Sequence, residues 1–364
     1  MTKRVYNFSA GPATLPLPVL EKAQQTFLAL PEAGISVLEM SHRSEWFTRI
    51  IETAEANIRK LYSIPDNYSV LFLQGGATLQ FSMLAASFLR GSRTPADYVL
   101  TGSWANKAIK EAHKEGQTHI AWDGKDDNFV RVPKQDELQL NPDAPYVHIT
   151  SNETIQGVQW PQTPDTAGVP LLCDMSSDFL SRPIDVADYA LIYAGAQKNA
   201  GGSGVTVVII RNDMLEKVPE NLPSMMDYRL MAEKKSLYNT PPSYAIYIVM
   251  LVTEWLLDQI GGLEAMHQIN QQKANLLYQV IDQSDGFYNG HAQTDSRSLM
   301  NVTWRLPDDD LQATFLEQAK ACDLYELKGH RSVGGIRASI YNAMTLEGVQ
   351  ALRDFMVDFQ KQHG

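Results

Sequence analysis

Short apolar runs recur through the first two-thirds of the chain, at 69–73, 97–101, 119–122, 146–150, 169–173, 189–194 and 205–210. Segments with helical periodicity, among them 79–89 and 105–113, separate several of these runs. Continuous apolar strands alternating with helices predict an α/β fold whose mainly parallel sheet is covered by helices on both faces. Ligands of such sheets sit beyond the carboxyl ends of the strands. The residues that follow the runs are therefore the ones to read for chemistry: Gly75-Gly76-Ala77-Thr78, Gly102-Ser103-Trp104, Ser151-Asn152-Glu153-Thr154, Asp174 and Gln197-Lys198.

Beyond Gly261-Gly262 the texture changes. A long helical pattern at 263–281 leads to alternating residues near 298–304, a helix near 311–322, a glycine-flanked stretch at 329–340 and a closing helix from about Leu346. The expected organisation is a large domain over 16–261 and a smaller α+β domain over 262–364, with residues 1–15 packing on the smaller one. The apolar run 244–257 is too short to span a bilayer, and Glu254 interrupts it.

Composition narrows the function classes. Of 364 residues, 44% are hydrophobic and 20% charged, which suits a globular protein with a large core. The formal net charge of -11 argues against a general nucleic-acid or anionic-membrane binder, so anion recognition must come from local arginine clusters. The two cysteines, Cys173 and Cys322, are far apart, and Cys173 lies in an apolar run; a disulfide framework is not expected. The first residues lack the apolar stretch of a secretion signal, so a cytoplasmic protein is expected. No metal site is expected.

The candidate chemistry centres on Lys198. An apolar run delivers it into a glycine-rich turn (Gly201, Gly202, Gly204), and the next apolar run follows at once. A lysine between buried strands is desolvated, releases its proton more readily and becomes a nucleophilic amine. Asp174 closes a neighbouring run. A lysine that forms a Schiff base and an aspartate that holds a pyridinium nitrogen protonated are the paired requirements of pyridoxal phosphate chemistry. Each residue alone has an ordinary reading, a solvated lysine and a strand-ending aspartate.

The other motifs also admit two readings. Gly75 to Thr78 could bind phosphate at a helix start or be a tight turn with Thr78 near a cap; it matches neither a dinucleotide fingerprint nor a Walker loop. Trp104 could stack on a cofactor ring or fill a rim. Thr154 could donate to a cofactor hydroxyl or cap a helix. His42-Arg43, His330-Arg331 and Arg337 could be surface charges or could bind a substrate with two anionic groups, since guanidinium forks take carboxylates and phosphates bidentately. Asn239-Thr240-Pro241-Pro242 reads as a polar turn before a helix.

Taken together, the segments 7–12, 41–43, 75–76, 152–155, 174–177, 181–185, 193–198, 239–242, 328–331 and 337–342 resemble the phosphoserine aminotransferases, pyridoxal phosphate enzymes of fold type I in the class-V aminotransferase family. The resemblance runs nearly end to end. It implies that Lys198 forms the Schiff base with pyridoxal 5'-phosphate and shuttles the proton between the substrate α-carbon and the cofactor. Asp174 would pair with the ring nitrogen, Trp104 stack on the ring and Thr154 hold its phenolic oxygen. Ala77, Thr78, Gln197 and, from a partner subunit, Asn239 and Thr240 would hold the phosphate. Arg337 would clamp the substrate α-carboxylate; Arg43, His330 and Arg331, joined by His42, would bind the distal anion across a homodimer interface. Where some bacterial members carry Gly-Arg, this chain has Ala77-Thr78, so no arginine side chain reaches the phosphate from there.

The implied reaction is transamination between L-glutamate and 3-phosphohydroxypyruvate, giving 2-oxoglutarate and O-phospho-L-serine. A second substrate, 4-phosphohydroxy-L-threonine of pyridoxal phosphate biosynthesis, is also implied. Two alternatives stay open: a small-amino-acid:glyoxylate transaminase, which needs no distal arginine cluster, and a cofactor-binding module without turnover.

Overall fold

The computed structural model describes residues 4–364. A seven-stranded sheet runs in the order Tyr68–Leu73, Thr206–Arg211, Leu191–Gly195, Leu171–Asp174, Val147–Thr150, Ala96–Leu100, Thr118–Asp123. Thr206–Arg211 is antiparallel to both neighbours, and every other adjacent pair is parallel. Side chains on both faces of the inner strands are buried, as their unbroken apolar sequences require.

Two cores flank this sheet. Glu45–Tyr62 and Ser243–Trp255 pack on one face through Phe47, Ile50, Ile58, Ile246 and Val249. Gly76–Phe88 and Ser103–Ala112 pack on the other through Phe81, Leu84, Ala105 and Ile109. Both of the latter helices start two or three residues earlier than the apolar pattern places them: Gly75, at positive φ, turns the backbone straight from strand end to helix, and Gly102 leaves room for the Glu153 and Gln156 side chains at the other helix start. Gly75 lies at φ 86, and a Cβ there would sit 2.6 Å from the Leu79 side chain, so both its conformation and its surroundings require glycine.

Helix Ser243–Trp255 continues as a π turn, Leu256–Ile260, and ends at Gly261 and Gly262 with φ of 89° and 100°. No single helix among the described residues is long and apolar enough to cross a membrane. One pair, Ser243–Ile260 with Leu263–Asp282, passes on length and composition but is bent by 85°.

The remaining chain forms a three-stranded antiparallel sheet, Asn289–Gly290, Asn301–Arg305 and Ile336–Ser339, with helices Leu263–Asp282, Asp309–Ala321 and Leu346–His363. It has its own core around Trp304, Phe315 and Phe359, which Phe8 also enters. Tyr6–Asn7 pairs in parallel with Leu324–Tyr325. Residues 1–3 of the expected segment 1–15 lie outside the described residues.

Buried polar contacts tie the two sheets together. Asn152 Nδ2 donates to Asn301 Oδ1 at 2.8 Å, and Asn342 N donates to Asn199 Oδ1 at 2.9 Å, one residue beyond Lys198. The fully buried Lys273 ammonium donates to the carbonyls of Ile340, Tyr341 and Met344 at 2.7–3.0 Å, fixing the chain just past the strand that carries Arg337. Burial pushes its pKa down to about 7, while those carbonyls give the charged form its partners.

Candidate active site

Parallel neighbours bring Asp174 and Lys198 to the same end of the sheet. Asp174 closes strand Leu171–Asp174, and Lys198 stands in the turn that follows the adjacent strand, Leu191–Gly195. Asp174 is buried; its Oδ1 accepts from Ser176 N at 2.9 Å, and its backbone carbonyl accepts from Ser151 N and Oγ. Burial pushes its pKa up, and the Lys198 charge pulls it back down.

Lys198 Nζ donates to Thr154 Oγ1 at 2.7 Å and lies 4.8 Å from the centroid of the Trp104 ring. Desolvation pulls its pKa down; the carboxylates of Asp174 and Glu153 oppose this, and Arg337 adds to it. A partly buried amine held below its ordinary value, with a carboxylate at the next strand end, is suited to nucleophilic and proton-transfer work. Thr154 caps no helix. It follows a two-residue ribbon strand, Asn152–Glu153, paired with Val158–Gln159, which leaves its hydroxyl free for Lys198.

Trp104 is the second residue of helix Ser103–Ala112. Lys107 Nζ, one turn on, lies 4.0 Å from the same ring's centroid. Helix Gly76–Phe88 opens after the edge strand Tyr68–Leu73 without any side-chain cap, so Ala77 and Thr78 belong to a first turn whose amides are open to an anion. Thr78 is the third helical residue, not the cap; Gly75 holds that position. Asn239 Nδ2 donates to Gln74 Oε1 at 3.2 Å, beside this turn, and Thr240 is exposed.

Arg337, on strand Ile336–Ser339, brings the other sheet to the cleft. It is half-buried, its Nε is buried without a hydrogen-bond partner, and it forms no ion pair among the described residues. Burial lowers its pKa. His330 is pushed below its ordinary value first by burial and then by the charges of Arg337, Lys107 and Arg331. Arg331 is exposed, and a half-buried His42 and an exposed Arg43 precede helix Glu45–Tyr62. Within one chain neither His42 nor Arg43 contacts the other site residues through a hydrogen bond or ion pair.

Glu153 was missed as a site residue in its own right. Its carboxylate is fully buried and accepts from Trp104 N and Ala105 N, each at 2.9 Å. These two bonds favour the ionised carboxyl, but burial outweighs them and pushes its pKa up to about 7. The available signal was negative: Gly102 has no side chain to cap the helix that follows it.

The chain belongs to the class-V aminotransferase family, whose family model matches residues 5–352. Membership makes it a pyridoxal phosphate-dependent transaminase of fold type I. It is 55% identical over 365 residues to the phosphoserine aminotransferase of Desulfosudis oleivorans, with 100% of both chains covered. Among solved structures it is similar to phosphoserine aminotransferase from Bacillus circulans subsp. alkalophilus, at TM-score 0.97 and 49% identity with full coverage of both. It is also similar to the PLP-bound enzyme from Trichomonas vaginalis, at TM-score 0.92 and 40% identity, covering 97% of this chain and 100% of that one.

Proposed function

We propose that the protein transfers the amino group of L-glutamate to 3-phosphohydroxypyruvate, forming 2-oxoglutarate and O-phospho-L-serine for serine biosynthesis. The same site takes the phosphohydroxythreonine pair of pyridoxal phosphate biosynthesis as a second substrate set. The observation that carries this reading is Arg337, a half-buried guanidinium without a carboxylate partner, on the same cleft as the lysine–threonine–tryptophan group and beside His330. A cation so placed favours an anionic ligand.

The residues fit pyridoxal 5'-phosphate: a buried carboxylate for a ring nitrogen, a flat indole for the ring, an uncapped helix start for the phosphate and a lysine for the aldehyde. When bound, the cofactor supplies an electron sink for the carbon–hydrogen bond that must break. Asp174 would keep the ring nitrogen protonated, Trp104 would stack on the ring, and Thr154 would donate to its phenolic oxygen. Ala77, Thr78 and Gln197 would hold the phosphate, joined by Asn239 and Thr240 from a second subunit. Lys198 would hold the aldehyde end of the cofactor, and its amine is placed to act as general base toward the proton on the substrate α-carbon. Arg337 holds the α-carboxylate that glutamate and phosphoserine share. Arg43, His330 and Arg331, with His42, hold the second anion, so one pocket serves both halves of the cycle.

The working protein is a cytoplasmic homodimer. Leu28 and Leu38 are 85% and 59% exposed in the stretch leading to His42-Arg43, and an apolar face there favours a second copy. The chain divides into a cofactor domain over 16–261 and a smaller domain over 262–364; the core around Trp304, Phe315 and Phe359, which Phe8 enters, supports this, while Leu263 and Met266 join the large-domain core and Ala13 N donates to Gln197 O. The test is an assay of glutamate with phosphohydroxypyruvate: phosphoserine should form faster than glyoxylate or pyruvate is aminated, and the reverse order overturns the proposal.

A further inference from the structure

The helix that carries Trp104 cannot cap itself. Its N-cap residue, Gly102, makes no side-chain hydrogen bond, and the first amides of the helix are taken by side chains from a different element. Ser103 N donates to Gln156 Oε1 at 3.3 Å, and Gln156 Nε2 donates back to Ser103 Oγ at 2.8 Å. Trp104 N and Ala105 N donate to the two oxygens of Glu153. A Cβ at Gly102 would lie 2.5 Å from Glu153 Cδ and 2.7 Å from Gln156 Oε1, so the glycine is what admits this external cap. Glu153 itself is fixed: it sits in the ribbon strand Asn152–Glu153, and its own carbonyl accepts from Gly157 N at 2.8 Å.

We propose that Glu153 is a positioning residue that fixes the helix start carrying Trp104, and through that backbone sets the indole beside the reacting lysine. The backbone carrying Thr154, the partner of Lys198, is thereby linked through the adjacent side chain to the backbone carrying the ring. Lys198 Nζ is gripped by one residue of this pair and faces the aromatic held by the other. A carboxylate suits the task because two oxygens can accept from two consecutive amides. A glutamine offers only one acceptor and turns an N–H toward the second donor. The inference rests on the reading that Trp104 covers the cofactor ring.

The test is a double-mutant cycle between Glu153→Gln and Trp104→Phe. Each protein is followed by the cofactor dissociation constant, the visible band of bound pyridoxal phosphate, and the indole emission of cofactor-free protein. Glu153→Gln should weaken cofactor binding about tenfold and shift the part of the emission that Trp104→Phe removes. It should add little once Trp104 is already replaced, because coupled residues are not additive. Glu153→Asp, which keeps the charge one methylene shorter, should recover part of the loss; it also serves as the probe should the glutamine variant not fold. Additive losses, or a fall in melting temperature with unchanged emission and visible band, would reduce Glu153 to an ordinary helix cap and overturn the inference. A Trp104→Phe protein that binds cofactor as well as the parent would sink this inference and the assignment of Trp104 together.

Discussion

The two walls of the cleft differ in how far one chain completes them. On the wall formed by the parallel sheet, Ser176 N holds the Asp174 carboxylate, Thr154 holds the Lys198 amine and Glu153 holds the Trp104 backbone amide, at 2.7–2.9 Å, leaving the buried Trp104 indole N–H without a partner. The wall formed by Arg337 and the 329–335 turn carries unpaired or exposed cations, and His42-Arg43 stands apart from it within a single chain. The contrast separates preorganised chemistry from recognition. Groups that move protons are fixed before substrate arrives, whereas groups that bind anions keep free hydrogen-bonding capacity for substrate and, on the proposed reading, for a second subunit.

Breaking the first wall should cost most. Lys198→Ala should lower kcat by about 10⁴-fold or more while leaving circular dichroism unchanged; steady-state turnover near the parent's would remove Lys198 from the mechanism. Asp174→Ala should cost roughly 10²–10³-fold in kcat and weaken cofactor retention, as loss of one preorganised electrostatic partner does. Equilibrium dialysis with single-turnover kinetics checks both. Changes on the second wall should act on KM. Arg331→Leu should raise KM for the phosphorylated substrate about tenfold and leave the KM for alanine nearly unchanged; equal effects on both would take Arg331 out of the distal pocket.

The smallest effect concerns pH. Burial pushes Glu153 up from 4.5 to about 7, against the pull of the Ala105 and Trp104 amides and of Lys198 and with the push of Asp174. Between those values the unfolded chain has released the proton that the folded chain still holds. Cofactor-free protein should therefore lose stability as pH rises through this window, and Glu153→Gln should flatten the slope. Denaturant midpoints at about pH 5 and about pH 8 measure it; parallel slopes in both proteins would contradict the assignment.

Much of the first wall was legible from the chain alone. Apolar runs ending in Asp174 and in the Lys198 turn place both residues at strand ends, because buried parallel strands need no polar alternation. Strand order was not legible, nor was the antiparallel insertion of Thr206–Arg211, since neither leaves a mark on local periodicity. Thr154 and Thr78 looked like helix caps, as hydroxyls after apolar runs commonly are. Gly75 took one role, and the ribbon containing Glu153 removed the other. Glu153 stayed hidden because its function depends on a helix start 50 residues earlier, at Gly102 and Trp104, which only the folded chain brings to it.

The central claim is that the Lys198 amine is the group that couples to the cofactor aldehyde. Reducing the cofactor-loaded protein with borohydride makes that linkage permanent, and peptide mass spectrometry then locates it. The account predicts a single pyridoxyl-modified peptide containing Lys198. Modification centred on Lys107, Lys273 or any other lysine, with Lys198 unmodified, would contradict it.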